Sequence, residues 1–350
     1  MKKDHTASAI SGSLFKEARY LLCLLLSVLT LVSCGPAALS AGADAEDGTL
    51  YPVTVTDQAG RTVEISGKPE RIVSGYYIST SALIALGLKD SIVGIEAKAE
   101  KRNIYHLSAP ELIGLPNTGT AKDFDLEGCL AMEPDLIILP LRLKEPAETL
   151  EAFGLPVLLV NPESQALLEE MIVLLSEVTG TEQRAAELLE FVGGIREKLR
   201  GISGETPSVY LAGNSSMLST AGKNMYQSEM ITLAGGKNVA EEIAEDYWVT
   251  ISYEQLLAWN PEVILMASDA SYTVEDVLSD PNLSQCRAVQ NGMVLQMPDV
   301  AESWDSPVPG GILGSLWLAS EIRPDEISSE FCSEMINEFY SAFYGFVYEA

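Results

Sequence analysis

Residues Thr181 to Arg200 read TEQRAAELLEFVGGIREKLR. Ala185, Leu188, Leu189, Val192, Ile195 and Leu199 recur at helical spacing and draw one apolar stripe along an otherwise charged rod. Gly180 is placed to end the preceding helix and Thr181 to cap this one. Glu182 falls in the first turn, where the helix dipole favours a negative charge. At a rise of about 1.5 Å per residue such a helix spans about 30 Å, the width of a small domain. It is long enough to join two lobes.

The segments on either side of the rod match each other. Before it, Asp125 to Leu139 reads DLEGCLAMEPDLIIL; after it, Ser252 to Met266 reads SYEQLLAWNPEVILM. Aligned, they pair Glu127 with Glu254, Leu130 with Leu257, Ala131 with Ala258, Pro134 with Pro261 and Ile137 with Ile264, while Asp135 and Glu262 keep the charge. Each copy predicts a short helix stopped by proline, then a continuous apolar run of the kind found in a buried parallel strand. The repeat predicts an α/β fold of two Rossmann-like lobes with parallel sheets. Residues 51–179 form the first lobe, 180–202 the linking helix and 203–350 the second lobe.

Other segments fit that frame. Tyr51 to Ile65 alternates around Gln58-Ala59-Gly60 and predicts a hairpin. Ile72 to Ser74 predicts a strand that opens into Gly75-Tyr76-Tyr77-Ile78-Ser79-Thr80-Ser81 and then a helix from Ala82 to Leu86. That order puts backbone amides at the carboxyl end of a sheet, the edge where ligands bind. Further strands are predicted at Ser91 to Ile95, Pro156 to Val160, Ser208 to Ala212 and Met293 to Gln296, with helices at Ile312 to Ala319 and Phe331 to Tyr348.

The N-terminus predicts export. Lys2, Lys3, Lys16 and Arg19 precede an apolar run from Leu21 to Val32, too short for a comfortable membrane span, and Leu31-Val32-Ser33-Cys34 has the shape of a lipoprotein cleavage site. Residues 1–33 are then a signal peptide and Cys34 the lipidated first residue of the mature chain. Residues 34–50 form a flexible tether. A net charge of −28 repels nucleic acid and anionic lipid, so membrane attachment falls to the lipid on Cys34. Cys129, Cys286 and Cys332 lack the pairing of a disulfide framework, and no CxxC is present. With His106 as the only histidine after the signal, a His-based triad and a polyhistidine metal site are both excluded, and no Gly-x-Ser-x-Gly or HExxH occurs. A surface-anchored enzyme is therefore a remote alternative.

The lipoprotein signal, the Asp57-x-x-Gly60 hairpin, the strand and turn after Arg71-Ile72-Val73, the paired proline-acid-strand repeats, the Gly235-Gly236-Lys237-Asn238-Val239 loop and the long helix together resemble the substrate-binding lipoproteins of ABC importers for iron complexes and cobalamin. The resemblance runs from about Tyr51 to the C-terminus. It implies an extracytoplasmic, monomeric receptor that holds its ligand in a cleft between lobes and hands it to a permease dimer with ATPase subunits, without chemistry and without a cofactor or resident metal. A single stiff helix between lobes implies limited closure. Glu127 and Glu254 match the position at which members of the family dock on the permease, one per lobe, where each can grip an arginine.

The cargo is read from loop residues. Tyr76, Tyr77, Asn214, Tyr226, Tyr247, Trp248, Trp304 and Asp305 offer flat rings with polar rims, suited to a ferric chelate, haem or corrinoid. Arg142, after the strand Leu136 to Leu139, and Lys223, in the loop from Thr220, mark an anionic ligand. The alternative within the same fold is a molybdate or tungstate receptor using backbone amides and Arg142.

Overall fold

One sheet topology occurs twice along the chain. The computed structural model describes residues 51–348; the expected signal peptide, Cys34 and tether lie outside them. A hairpin of β1 (Val53–Thr56) and β2 (Thr62–Ile65) leads into β3 (Ile72–Ser74), β4 (Ile92–Gly94), β5 (Leu136–Pro140) and β6 (Val157–Val160), which form a parallel sheet in the order β4-β3-β5-β6. After the long helix, β7 (Ser208–Ala212), β8 (Lys237–Asn238), β9 (Val263–Met266) and β10 (Val294–Gln296) form a second, in the order β8-β7-β9-β10. The registers agree as well. Ile137 lies between Val73 and Val157, and its repeat partner Ile264 lies between Tyr210 and Val294.

The helices follow from local sequence. In the first lobe are α1 (Tyr77–Ala85), α2 (Asn103–Ser108), α3 (Leu126–Ala131), α4 (Lys144–Ala152) and α5 (Gln165–Thr179). The linking helix is α6 (Glu182–Arg200), and the second lobe adds α7 (Tyr226–Leu233), α8 (Tyr253–Trp259), α9 (Ile312–Ile322) and α10 (Ser329–Tyr344), with shorter helical turns between. The repeat helices α3 and α8 are capped alike: Asp125 accepts from the Gly128 amide at 2.8 Å, and Ser252 from the Gln255 amide at 3.2 Å. Gly180 ends α5 in the left-handed region at φ 69°. Thr181 precedes α6 without capping it, because its hydroxyl pairs with Thr179 Oγ1 at 2.9 Å.

One helix begins earlier than the sequence suggests. The expected turn from Gly75 to Ser81 is already helical from Tyr77. The polar run Ser79-Thr80-Ser81 is tolerated there because Ser79 and Thr80 donate back to the Tyr76 carbonyl at 2.8 and 3.2 Å, while Ser81 turns its hydroxyl to the second lobe.

The stripe of α6 is buried at Ala185, Leu188, Val192, Ile195 and Leu199 and half-buried at Leu189. It lies in one apolar core that runs from α1 and the inner face of the first sheet to the inner face of the second sheet, α9 and α10. Each sheet's outer face has its own smaller core. Aromatic side chains of α10 fill the shared region: Phe339 and Phe343 lie 5.8 and 5.9 Å from the Phe191 ring of α6. Because that core is common to both lobes, Leu188→Ala, which empties a fully buried site on α6, is expected to cost about 2–5 kcal/mol. Urea unfolding followed by circular dichroism should keep a single transition, shifted to lower urea; two separated transitions would show that the lobes unfold independently.

Candidate functional site

The carboxyl ends of the two sheets face each other across a cleft. In each sheet the chain order reverses between the first and third strands, which is where open parallel sheets form ligand crevices. A cavity of about 740 Å³ lies there, bordered by Tyr76, Tyr77 and Arg142 from the first lobe and by Tyr226, Tyr247 and Trp248 from the second. Six of the ten ligand residues expected from sequence thus share one wall system.

Its local construction is specific. Tyr77 and Ile78 open α1 at the cavity with no side-chain cap and no acid in the first turn, so amide groups remain for a ligand's acceptor. The Tyr76 and Tyr77 rings meet edge to face at 5.3 Å. Burial raises both phenols above their usual range, so they stay neutral hydrogen-bonding groups. The Trp248 ring packs so closely on Gly213, at the end of β7, that a Cβ there would fall 2.8 Å from the indole. Tyr247 is 82% exposed and Trp248 37%, an aromatic surface left open to the cleft.

Arg142 stands free. Its guanidinium lies 5.2 Å from the Tyr76 ring centroid and makes no ion pair or hydrogen bond among the described residues. The described arginines other than Arg102 and Arg142 all hold an ion pair or a backbone carbonyl. An unpaired arginine at a cleft keeps its planar fork of donors open to the cavity.

Four expected contacts lie elsewhere. Trp304 is 1% exposed, donates its Nε1–H to Tyr340 at 2.7 Å and stacks on Tyr348 at 5.6 Å, which makes it a core residue. Asp305 is buried as a loop clamp, accepting from the Ser268 hydroxyl at 2.7 Å and the Ser268 amide at 3.1 Å. Asn214 meets Asp269 at 3.4 Å and does not border the cavity. Lys223 lines a separate groove beside α5, α6 and α7, because its amide is tied to the Ile243 carbonyl at 2.9 Å and a Cβ on Gly222 would fall 2.3 Å from that oxygen.

Sequence reading missed Asn161, Glu163, Asn224, Asp246 and Gln227, which complete the cavity's polar rim. Asn161 and Glu163 follow β6, and that position at a strand's carboxyl end was the available signal. Glu127 and Glu254 are both exposed in the first turns of α3 and α8. His106 is exposed, with Nε2 2.9 Å from the Glu100 carbonyl. Among the described residues no cluster of three His, Cys, Asp or Glu can hold a metal, and no helix is long and apolar enough to cross a membrane.

Comparison with known proteins decides the family. Residues 72–301 match the model of the periplasmic binding protein family. The chain belongs to that family. It is an extracytoplasmic solute-binding protein of the kind that serves ABC importers. It is 26% identical to the molybdate-binding protein MolA of Haemophilus influenzae over 90% of this chain and 95% of that one. The molybdate-bound structure of MolA superposes with a TM-score of 0.74, 25% identity and coverage of 85% and 99%. A cobalamin-binding protein of Halobacterium salinarum is 24% identical over 68% of this chain and 62% of its own length. A periplasmic solute-binding protein of Veillonella parvula shares the fold, with a TM-score of 0.73 at 24% identity over 85% of this chain and 94% of that one.

Behind the cavity, Glu302 joins the lobes. It comes from the second lobe, is 5% exposed and accepts from Ser81 on α1. Ser81 also pairs with the Tyr344 hydroxyl at 2.8 Å. Burial raises the Glu302 carboxyl to about 7, against smaller opposing effects from Ser81, the Gly310 amide and Tyr340. A folded-state value above the unfolded one favours the native state at low pH, and that advantage is lost as pH rises from about 4.5 to about 7. The difference is on the order of 3 kcal/mol. Glu302→Gln should therefore gain stability over the natural protein across that window and hold a constant lead above it, as read by thermal unfolding at stepped pH; parallel profiles would mean that the acid is not held neutral.

Proposed function

We propose that this protein captures a bulky organic metal complex, a ferric chelate, haem or corrinoid, and delivers it to an ABC permease without altering it. The observation that carries this reading is the cavity of about 740 Å³ between the lobes, with open aromatic faces on one wall and the unpaired Arg142 on the other. Rings supply contact area to a flat or macrocyclic ligand, and one guanidinium with a few amides sets its orientation. A volume in the range of drug-sized pockets is far larger than a tetrahedral oxyanion needs. The likeness to MolA over nearly the full chain favours a second reading, a molybdate or tungstate receptor that uses Arg142 and the opening amides of α1.

Tryptophan fluorescence separates the two. Titrated with ferric siderophores, haem, cobalamin and molybdate, the protein should show saturable quenching by an organic complex. That quenching should be lost in Trp248→Ala, and affinity should fall about tenfold to a hundredfold in Arg142→Ala. A response to molybdate alone, insensitive to Trp248→Ala, overturns the organic-complex reading in favour of the oxyanion.

The same proposal takes Cys34 as a lipid anchor on the outer membrane face, residues 34–50 as the tether, and Glu127 and Glu254 as the two docking points for a permease dimer. Support for docking is the shared position of both acids on equivalent capped helices, where the first turn favours a carboxylate. Charge reversal of both, Glu127→Lys with Glu254→Lys, should leave ligand affinity within twofold and abolish uptake in a transport assay. Undiminished uptake would remove the docking assignment.

A further inference from the structure

A line of hydroxyls under α1 ends on a buried carboxyl. Glu96, just after β4, is 7% exposed and meets Thr80 Oγ1 at 2.9 Å and the Tyr105 hydroxyl at 2.7 Å. The line continues from Thr80 to Ser74 Oγ at 2.8 Å and from Ser74 to Ser79 Oγ at 2.8 Å, and Ser79 donates to the Tyr76 carbonyl at 2.8 Å. Ser74, Ser79 and Thr80 have no exposed surface, so these groups answer one another.

Each hydroxyl has one proton to donate. Thr80 Oγ1 has three oxygens within reach: Ser74 Oγ, Glu96 Oε2 and, at 3.2 Å, the Tyr76 carbonyl. An ionised Glu96 takes the Thr80 proton, and Ser74 then donates to Thr80. A protonated Glu96 donates to Thr80 instead, which releases the Thr80 proton to Ser74 and leaves Ser79 donating to the Tyr76 carbonyl. The proton on Glu96 thus sets the direction of the whole line.

The carbonyl at the far end belongs to the peptide unit at the ligand cavity. In a trans peptide the N–H points opposite to the C=O. The Tyr76 carbonyl meets the hydroxyls, so the Tyr77 amide points away from them, at the end of α1 that borders the cavity of about 740 Å³. Donation to the carbonyl polarises the unit and strengthens its N–H as a donor. The titratable and charged groups facing Glu96 are Tyr105 from α2 and Arg102 just before it. Burial raises the Glu96 carboxyl above the usual carboxylate range, against opposing effects from Tyr105, its own amide, Thr80 and Arg102.

We propose that Glu96 is a positioning residue for ligand capture, whose proton turns the hydroxyl line toward the Tyr76 carbonyl and makes the Tyr77 amide a stronger donor to an acidic group in the cavity. The inference rests on the reading of that cavity as the ligand site. Ionised Glu96 turns the line back and adds a negative charge to the same lobe. Affinity for an acidic ligand therefore falls as pH rises through the Glu96 titration.

The test uses the full chain in detergent, isotope-labelled at tyrosine nitrogen and followed by NMR at stepped pH without ligand. The Tyr77 amide resonance, assigned by its loss in Tyr77→Phe, should shift in one step. In Glu96→Gln, whose amide nitrogen donates to Thr80 at every pH, the resonance should stay at its low-pH position. Tyr105→Phe removes a donor that favours the ionised acid, and should move the step to higher pH. Glu302→Gln, which neutralises the other buried acid meeting α1, should leave the step in place. The same proteins are then titrated by fluorescence with ferric siderophores, haem, cobalamin and molybdate. For a probe that binds, the ratio of natural to Glu96→Gln affinity should fall about tenfold as pH rises across the step, a comparison that cancels the probe's own titration. A step that persists in Glu96→Gln, or an affinity ratio that stays constant with pH, overturns the proposal. If the step behaves as expected and none of the probes binds, Glu96 keeps its control of the amide and the reading of the cavity falls.

Discussion

Both inner sheet faces bury their side chains in one continuous apolar core, and the rest of the molecule is arranged around that sharing. Burial is non-directional and roughly proportional to area, so the core alone would not hold two lobes at a set angle. The angle comes from rigid bodies pressed into the core. Leu188, Val192, Ile195 and Leu199 on the linking helix and Phe339 and Phe343 on α10 pack between the lobes. Close-packed interiors shift between discrete arrangements rather than deform smoothly. Such packing opposes large changes in the angle between the lobes.

Polar contacts then decide what the preformed cleft presents. Ser81 and Glu302 set one lobe on the other behind it, and Trp248 rests on the Gly213 backbone at its wall. Tyr77 divides the space, with Arg142 on one side and Arg102 on the other. Each of these two arginines lies over a tyrosine face, an arrangement that fixes a guanidinium while leaving its donors available.

The architecture was legible because buried parallel strands leave a strong mark. Leu136 to Leu139 and Val263 to Met266 are unbroken apolar runs, and the proline and acid before each fixed their equivalence. The site was legible at the strand ends, as at Tyr76, Tyr77 and Arg142, and in the loop aromatics Tyr226, Tyr247 and Trp248. Trp304 beside Asp305 read as a polar-rimmed aromatic, but its indole partner Tyr340 lies 36 residues further on, which periodicity does not reveal. Lys223 read as a cleft base until the Ile243 carbonyl turned its loop away.

The pairing of Ser81 with Tyr344 closes a loop of 263 residues. During synthesis the first lobe can form its sheet early, since β3 to β6 are all in hand by Val160. The Ser81 hydroxyl on α1 finds its partners Glu302 and Tyr344 221 and 263 residues downstream, in the second lobe. Contacts of such separation form late, because the entropy of closing the loop comes before the contact returns any stability. A chain that reads as two copies of one unit thus seats the first copy's opening helix through contacts that the second copy supplies, and loss of α10 would leave Ser81 without its Tyr344 partner.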